Sequence, residues 1–140
     1  MKILIINGPN LNMLGRREPD IYGSGTYAEL CEYIMANTKD IDSTLEFYQS
    51  NHEGAIIDKI HQAELDSETC GIVINPGAYT HYSYAIADAL KCLTKPAIEV
   101  HISDINSREE FRKNSVTGVN CKEIISGHGW NGYVEAVKKI

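Results

Sequence analysis

Apolar residues gather along the chain in short unbroken runs, separated by longer amphipathic stretches. Five runs read as strands: residues 3–6, 45–48, 71–74, 97–102 and 123–125. Most are continuous rather than alternating, as a parallel sheet covered on both faces requires. Helical periodicity fills the gaps. Thr26 and Glu29 form a capping box, and Tyr27, Leu30 and Ile34 follow on one face. Ile56, Ile60 and Ala63 repeat the pattern. So do Ile86, Ala89, Leu90 and Leu93, in a helix expected to begin at Thr80-His81 and to stop before Pro96. Ser107 and Glu110 read as a second capping box opening a short helix. Residues 132–140 read as a closing helix, with Val134 and Val137 inward and two lysines in the last turn, where they suit the helix dipole. Strands and helices thus alternate throughout, which means a doubly wound α/β fold. Right-handed crossovers favour a flavodoxin-like five-stranded parallel sheet in the order 2-1-3-4-5.

Composition narrows the picture. The 140 residues are expected to form a single domain, 1–140, of ordinary globular composition: 43% hydrophobic and 23% charged. A net charge of −6 with no basic stripe argues against nucleic acid as a partner. No apolar run approaches the length of a membrane span, and the chain enters its first strand without a signal-peptide pattern. Cysteines 31, 70, 92 and 121 contain no C-x-x-C pair. Cys31, Cys70 and Cys92 have apolar neighbours and are expected to be reduced and buried, in a cytoplasmic protein without a metal site or disulfide.

In open parallel sheets ligands bind beyond the carboxyl ends of the strands. At those ends lie Asn7, Gln49-Ser50-Asn51, Asn75-Pro76-Gly77, His101-Ile102-Ser103 and Ser126-Gly127-His128. The loop after Asn7 is unusually long, bounded by Gly8-Pro9 and by Pro19 and Gly23, and carries Asn10, Arg16, Arg17 and Tyr22. Glu99 and His101 are two apart on a strand and face the same way. The carboxylate can orient the ring and favour its charged form, which makes a general acid. Arg108 and Arg112 are four apart, so on a helix they share a face, where an anionic or hydroxyl-rich ligand would offset their repulsion. His81 and Asp88, seven apart, are likewise expected on one helical face. Gly127, Gly129 and Gly132 match G-x-G-x-x-G, but the motif needs a following βαβ half that the sequence to Ile140 does not supply, so a tight strand-to-helix turn is expected instead. Asn7 and Asn75 stand where a response-regulator receiver needs acids. Neither a P-loop nor a serine nucleophile elbow appears.

Three segments together resemble a known family. They are Asn7-Gly8-Pro9-Asn10-Leu11-Asn12-Met13-Leu14-Gly15-Arg16-Arg17-Glu18-Pro19-Asp20-Ile21-Tyr22-Gly23, then Asn75-Pro76-Gly77-Ala78-Tyr79-Thr80-His81, and Glu99-Val100-His101-Ile102-Ser103 followed by Arg108-Glu109-Glu110-Phe111-Arg112. In order and spacing they are similar to the type II 3-dehydroquinate dehydratases, over essentially the whole chain. The resemblance implies conversion of 3-dehydroquinate to 3-dehydroshikimate by anti elimination through an enolate, without metal, cofactor or Schiff base. It implies Tyr22 as base, His101 as acid oriented by Glu99, and Asn10 holding a water or the enolate oxygen. It favours Arg17 over Arg16 as the cation beside Tyr22, where a guanidinium stabilises a phenolate. The substrate carboxylate is then expected on the backbone amides of Ile102 and Ser103 with help from Asn75, and the ring hydroxyls on His81, Arg112 and Asp88. The Asp88 in each site is expected from a neighbouring subunit of a dodecamer built from trimers. The chain departs from the family after Ser115, where many members read Ser-Tyr-x-Ser-Pro and this one reads Ser115-Val116-Thr117-Gly118-Val119. It departs again at Gly127-His128-Gly129-Trp130 and at Val119-Asn120-Cys121, so subunit packing near the last strand is expected to differ in detail. The competing reading is a non-catalytic flavodoxin-like binding or assembly module. The presence of Tyr22, Arg17, Asn10, Glu99 and His101 favours the enzyme.

Overall fold

The computed structural model describes residues 1–16 and 18–140. One sheet carries the chain: β1 (Lys2–Asn7), β2 (Thr44–Gln49), β3 (Thr69–Asn75), β4 (Ala97–His101) and β5 (Glu123–Ser126), all parallel and in the order β2-β1-β3-β4-β5. This is the expected flavodoxin-like topology. The helices are α1 (Pro19–Tyr22), α2 (Tyr27–Ala36), α3 (Glu53–Leu65), α4 (Tyr84–Lys91) and α5 (Asn131–Lys139). Among the described residues no helix is long and apolar enough to cross a membrane.

The strand period divides the apolar runs between two cores. Ile3, Ile5, Val73, Ile98 and Val100 pack with Leu30 and Ile34 of α2 and with Tyr133, Ala136 and Val137 of α5. Leu4, Ile6, Ile72, Ile74 and Ala97 pack on the other face with Ile56, Ile60 and Ala63 of α3 and with Ile86, Ala89 and Leu90 of α4. Because both faces are covered, β1 and β3 need apolar residues at every position, and the runs are unbroken for that reason.

Register aligns the polar ends. Asn7 pairs with Gln49 on one side and Asn75 on the other, and His101 pairs with Ser126. Beyond Asn7 the backbones crowd together. The Gly8 amide donates to the Asn75 carbonyl at 2.8 Å, and a Cβ at Gly8 would lie 2.5 Å from the Pro76 carbonyl oxygen. Only glycine fits there.

Several expected local elements take other forms. The Thr26 hydroxyl accepts from the Glu29 amide, as a cap should, but it also donates to the Glu29 carboxylate at 3.1 Å, so the box closes through the hydroxyl. Thr80 and His81 do not begin α4. They belong to a separate 3-10 turn, Gly77–His81, and Ser83 caps α4 by accepting from the Ile86 amide at 3.0 Å. His81 and Asp88 therefore do not share a helical face. Ser107 opens no helix either. Asp104 caps a 3-10 turn at Ile105–Ser107, Arg108 is extended, and a second turn follows at Glu110–Arg112. Arg108 and Arg112 are consequently not helical neighbours. The cysteines expected to be buried are not: Cys92 is exposed at the end of α4, and Cys31 and Cys70, like Cys121, are half-buried. Gly127 and Gly129 both adopt positive φ in the turn from β5 to α5, the role expected of the glycine motif. Trp130 in that turn meets Tyr33 edge-on at 5.7 Å, and its ring lies so close to Gly25 that a Cβ there would overlap it.

Candidate active site

A cleft opens at the carboxyl end of the sheet, where the order reverses between β1 and β3. Asn10 and Leu11 line it from the first loop, Tyr22 from α1, and Asn75, Gly77, Ala78 and His81 from the end of β3 and its 3-10 turn. His101, Ile102 and Ser103 come from the end of β4, and Ile105, Arg108 and Arg112 from the connection that follows. Of the expected site residues, Tyr22, Asn10, His101, Asn75, His81, Ile102, Ser103 and Arg112 are thus brought together. Asp88 is not among them. It is exposed on α4 beside a different depression, shared with His81, Tyr84 and Lys91. Arg17 lies outside the described residues, and Arg16 is exposed.

Tyr22 ends the four-residue α1, started by Pro19 at a position where the missing amide costs nothing. Its ring is half-buried against the core beneath α2 and α5. Arg108 reaches it: Nη1 donates to the phenol oxygen at 3.0 Å, and the guanidinium carbon stands 5.5 Å from the ring centre. The same nitrogen donates to Ser103 Oγ at 3.2 Å, and Nη2 lies 3.8 Å from Glu18. Sequence reasoning assigned Arg108 to a ligand-binding pair with Arg112 and overlooked this contact.

His101 is buried, and its Nε2 meets Glu99 Oε2 at 2.8 Å, as the strand period requires. No buried side-chain nitrogen or oxygen among the described residues is left without a partner, so Nδ1, which has no partner among those residues, opens on the cleft. Glu99 is fully buried. Burial pushes its carboxyl up, but donation from His101, Ser115 and Thr117 outweighs this and holds it below the usual carboxylate range. The hydroxyls of Thr80, Ser115 and Thr117 around it were not anticipated; two of them lie in the 115–119 segment, whose sequence gives no local sign of this role.

The remaining walls are braced from behind. Asn75 donates to the Tyr133 hydroxyl at 2.8 Å and accepts from the Gly77 amide at 3.1 Å; Tyr133 in turn donates to Asn7 at 2.6 Å. Tyr133 lies on α5 and gives no local signal of this role. His81 bonds the Asn114 carbonyl through Nδ1 at 2.7 Å, which leaves Nε2 for a ligand, and burial lowers its proton affinity. Arg112 pairs with Glu109 at 2.7 Å and lies over Phe111. Asn10 takes a left-handed conformation (φ 69°), pinned by its amide to Asn51 Oδ1 at 2.9 Å. Gln49 also bonds Asn51 and the Gly8 carbonyl, so the 49–51 rim supports the loop rather than lining the cleft. Ser126 does the same for the 103–108 connection, accepting from the Ile105 amide. The cleft therefore offers a phenol beside a guanidinium on one wall and a carboxylate-held imidazole on another. That arrangement suits a proton taken from one side of a small polar ligand and a proton given on another.

Comparison with known proteins points the same way. The family model described as dehydroquinase class II matches residues 1–140. A 3-dehydroquinate dehydratase of Caldicellulosiruptor saccharolyticus is 58% identical over 136 residues, covering 97% of this chain and 93% of that one. The crystal structure of a type II dehydroquinase from Butyrivibrio crossotus superposes with a TM-score of 0.95 at 56% identity, covering 99% of this chain and 96% of the other. That of a type II dehydroquinase from Propionibacterium acnes gives 0.93 at 45% identity, covering 99% and 94%.

Proposed function

Since the chain belongs to the class II dehydroquinase family, we propose that its cleft dehydrates 3-dehydroquinate to 3-dehydroshikimate in the shikimate pathway of aromatic biosynthesis. Tyr22, as phenolate, removes a proton beside the ketone. The electrons move into an enolate, whose oxygen is stabilised by a water held at Asn10. The enolate collapses, the C–O bond to the leaving hydroxyl breaks, and the Nδ1 proton of His101 completes the departing water. Base and acid act on opposite faces of the ring, so the elimination is anti. Glu99 keeps Nε2 protonated and the ring aimed at the cleft.

The observation that carries this reading is that the Tyr22–Arg108 and His101–Glu99 pairs open on one cleft. A phenol works as a base only as its phenolate, and a guanidinium against its oxygen supplies the opposite charge. Arg108 is positioned for that; Arg17 is assigned a share of it on family resemblance. Substrate binding is assigned to the amides of Ile102 and Ser103 with Asn75 for the carboxylate, and to His81 and Arg112 for the hydroxyls. The assignment includes no cofactor. Asp88 is assigned to the cleft of a neighbouring subunit, in a homo-oligomer of trimers reaching a dodecamer. Exposed Tyr82, Tyr84 and Val119 support an interface around it, since apolar surface of that kind is usually covered. One catalytic domain, 1–140, is supported by the single sheet and its two cores, and a cytoplasmic setting by four unpaired cysteines.

The test follows absorbance of the enone formed from 3-dehydroquinate, with EDTA present, for wild type and Tyr22→Phe. Turnover by wild type and a loss of about 100-fold or more in the variant are expected for a general base. A folded but inert wild type would leave the non-catalytic binding module as the better reading.

A further inference from the structure

The two oxygens of Glu99 are served unequally. Oε2 accepts from His101 Nε2 at 2.8 Å, Ser115 Oγ at 2.6 Å and Thr80 Oγ1 at 3.0 Å. Oε1 accepts from Thr117 Oγ1, its one donor among the described residues. The hydroxyls also touch each other: Thr80 Oγ1 is 2.9 Å from Ser115 Oγ and 2.8 Å from Thr117 Oγ1. The Gly118 amide donates to Ser115 Oγ at 2.9 Å, which turns the serine proton toward the carboxylate. A hydroxyl has one proton to give. With all three spent on Glu99, the carboxylate accepts four hydrogen bonds, three from hydroxyls and one from the imidazole.

Orienting a histidine needs only one good bond from a carboxylate. Burying three further hydroxyls around it, from two other segments of the chain, costs their desolvation and exceeds what orientation requires. The other titratable groups facing this carboxylate are His81 and Cys121, with Arg112 beyond His81. Burial and the Glu99 charge push the Cys121 thiol up to about 12, and burial holds His81 toward its neutral form. Neither balances the charge on Glu99.

We propose that Thr117, with Ser115 and Thr80, sets the acid strength of His101 through Glu99. These are positioning residues, and the inference rests on the reading of His101 as the acid of the dehydration. Each O–H draws negative charge off the carboxylate, so the imidazolium is held less tightly and releases its Nδ1 proton more readily. The Nδ1–H bond breaks, the proton goes to the leaving oxygen, and the Nε2–H tautomer remains on Glu99.

Thr117→Val keeps the shape and removes the donor on Oε1; Thr117→Ser restores it. The readouts are the pH profile of kcat/KM and the titration of His101 by NMR in the ligand-free protein. In Thr117→Val the alkaline limb and the His101 titration both move up by about half a pH unit or more, and kcat falls about tenfold. Thr117→Ser returns both toward wild type. Ser115→Ala moves them less, because Thr80 still serves Oε2. A Thr117→Val enzyme that slows while limb and titration stay in place has lost only packing, and overturns the inference. Should Thr117→Val not fold, an unmoved His101 titration in Ser115→Ala overturns it equally. A wild type that performs no dehydration, while the titration still moves in Thr117→Val, defeats the functional reading and leaves the cage standing.

Discussion

Arg108 holds three partners at once: the Tyr22 oxygen, the Ser103 hydroxyl and, at longer range, Glu18. Only a planar fork of donors can do this, and a lysine ammonium cannot reach the same set. We therefore expect Arg108→Lys to lower kcat/KM about tenfold and Arg108→Met about 100-fold, with unchanged circular dichroism. Wild-type kcat/KM in Arg108→Met would show that the phenol is activated without it. Residue-scale chemistry was legible where a backbone period enforces it. Glu99 and His101 had to meet, because positions two apart on a strand face one way. Arg108 and Tyr22 lie 86 positions apart, and no local rule joins them. The hydroxyls on Glu99 were hidden for the same reason, each arriving from a segment with no periodicity of its own.

Elements show a similar division. The strands and the long helices were readable because apolar spacing is dictated by burial on two faces of one sheet. The short turns were not, because their starts depend on which of several candidate caps wins. Ser83 rather than Thr80 caps α4, since Pro76 and a left-handed Gly77 have already spent residues 77–81 on a separate turn. Asp104 likewise pre-empts Ser107. What these turns accomplish is close approach of the β1 and β3 ends, and Gly8 is the contact point. Gly8→Ala is expected to cost about 1–3 kcal/mol, because the obstacle is a backbone carbonyl that side-chain motion cannot relieve. Denaturant unfolding measures this, and a raised KM should accompany it as Asn75 shifts. An unchanged midpoint would mean that the two loops part freely.

At the scale of the molecule, fold class and strand order followed from the alternation of elements, but assembly did not, since surface residues carry no period. The cleft of a single chain lacks Asp88, which sits on α4 among exposed aromatic and apolar groups. If each site borrows Asp88 from a neighbour, inactive parents should complement one another. Co-expressed Asp88→Ala and Tyr22→Phe chains would then regain activity in about a quarter of the sites, whereas an Asp88 acting within its own chain would regain none. Activity of the purified mixture against each parent decides between them.

The protein also carries its own optical probe. Its one tryptophan, Trp130, is wedged against Gly25, three residues beyond Tyr22, and sits in the turn between β5 and α5. Any swing of the first loop changes what that indole touches. Its emission should therefore read out loop position in the unlabelled wild-type enzyme, on the timescale of a single turnover.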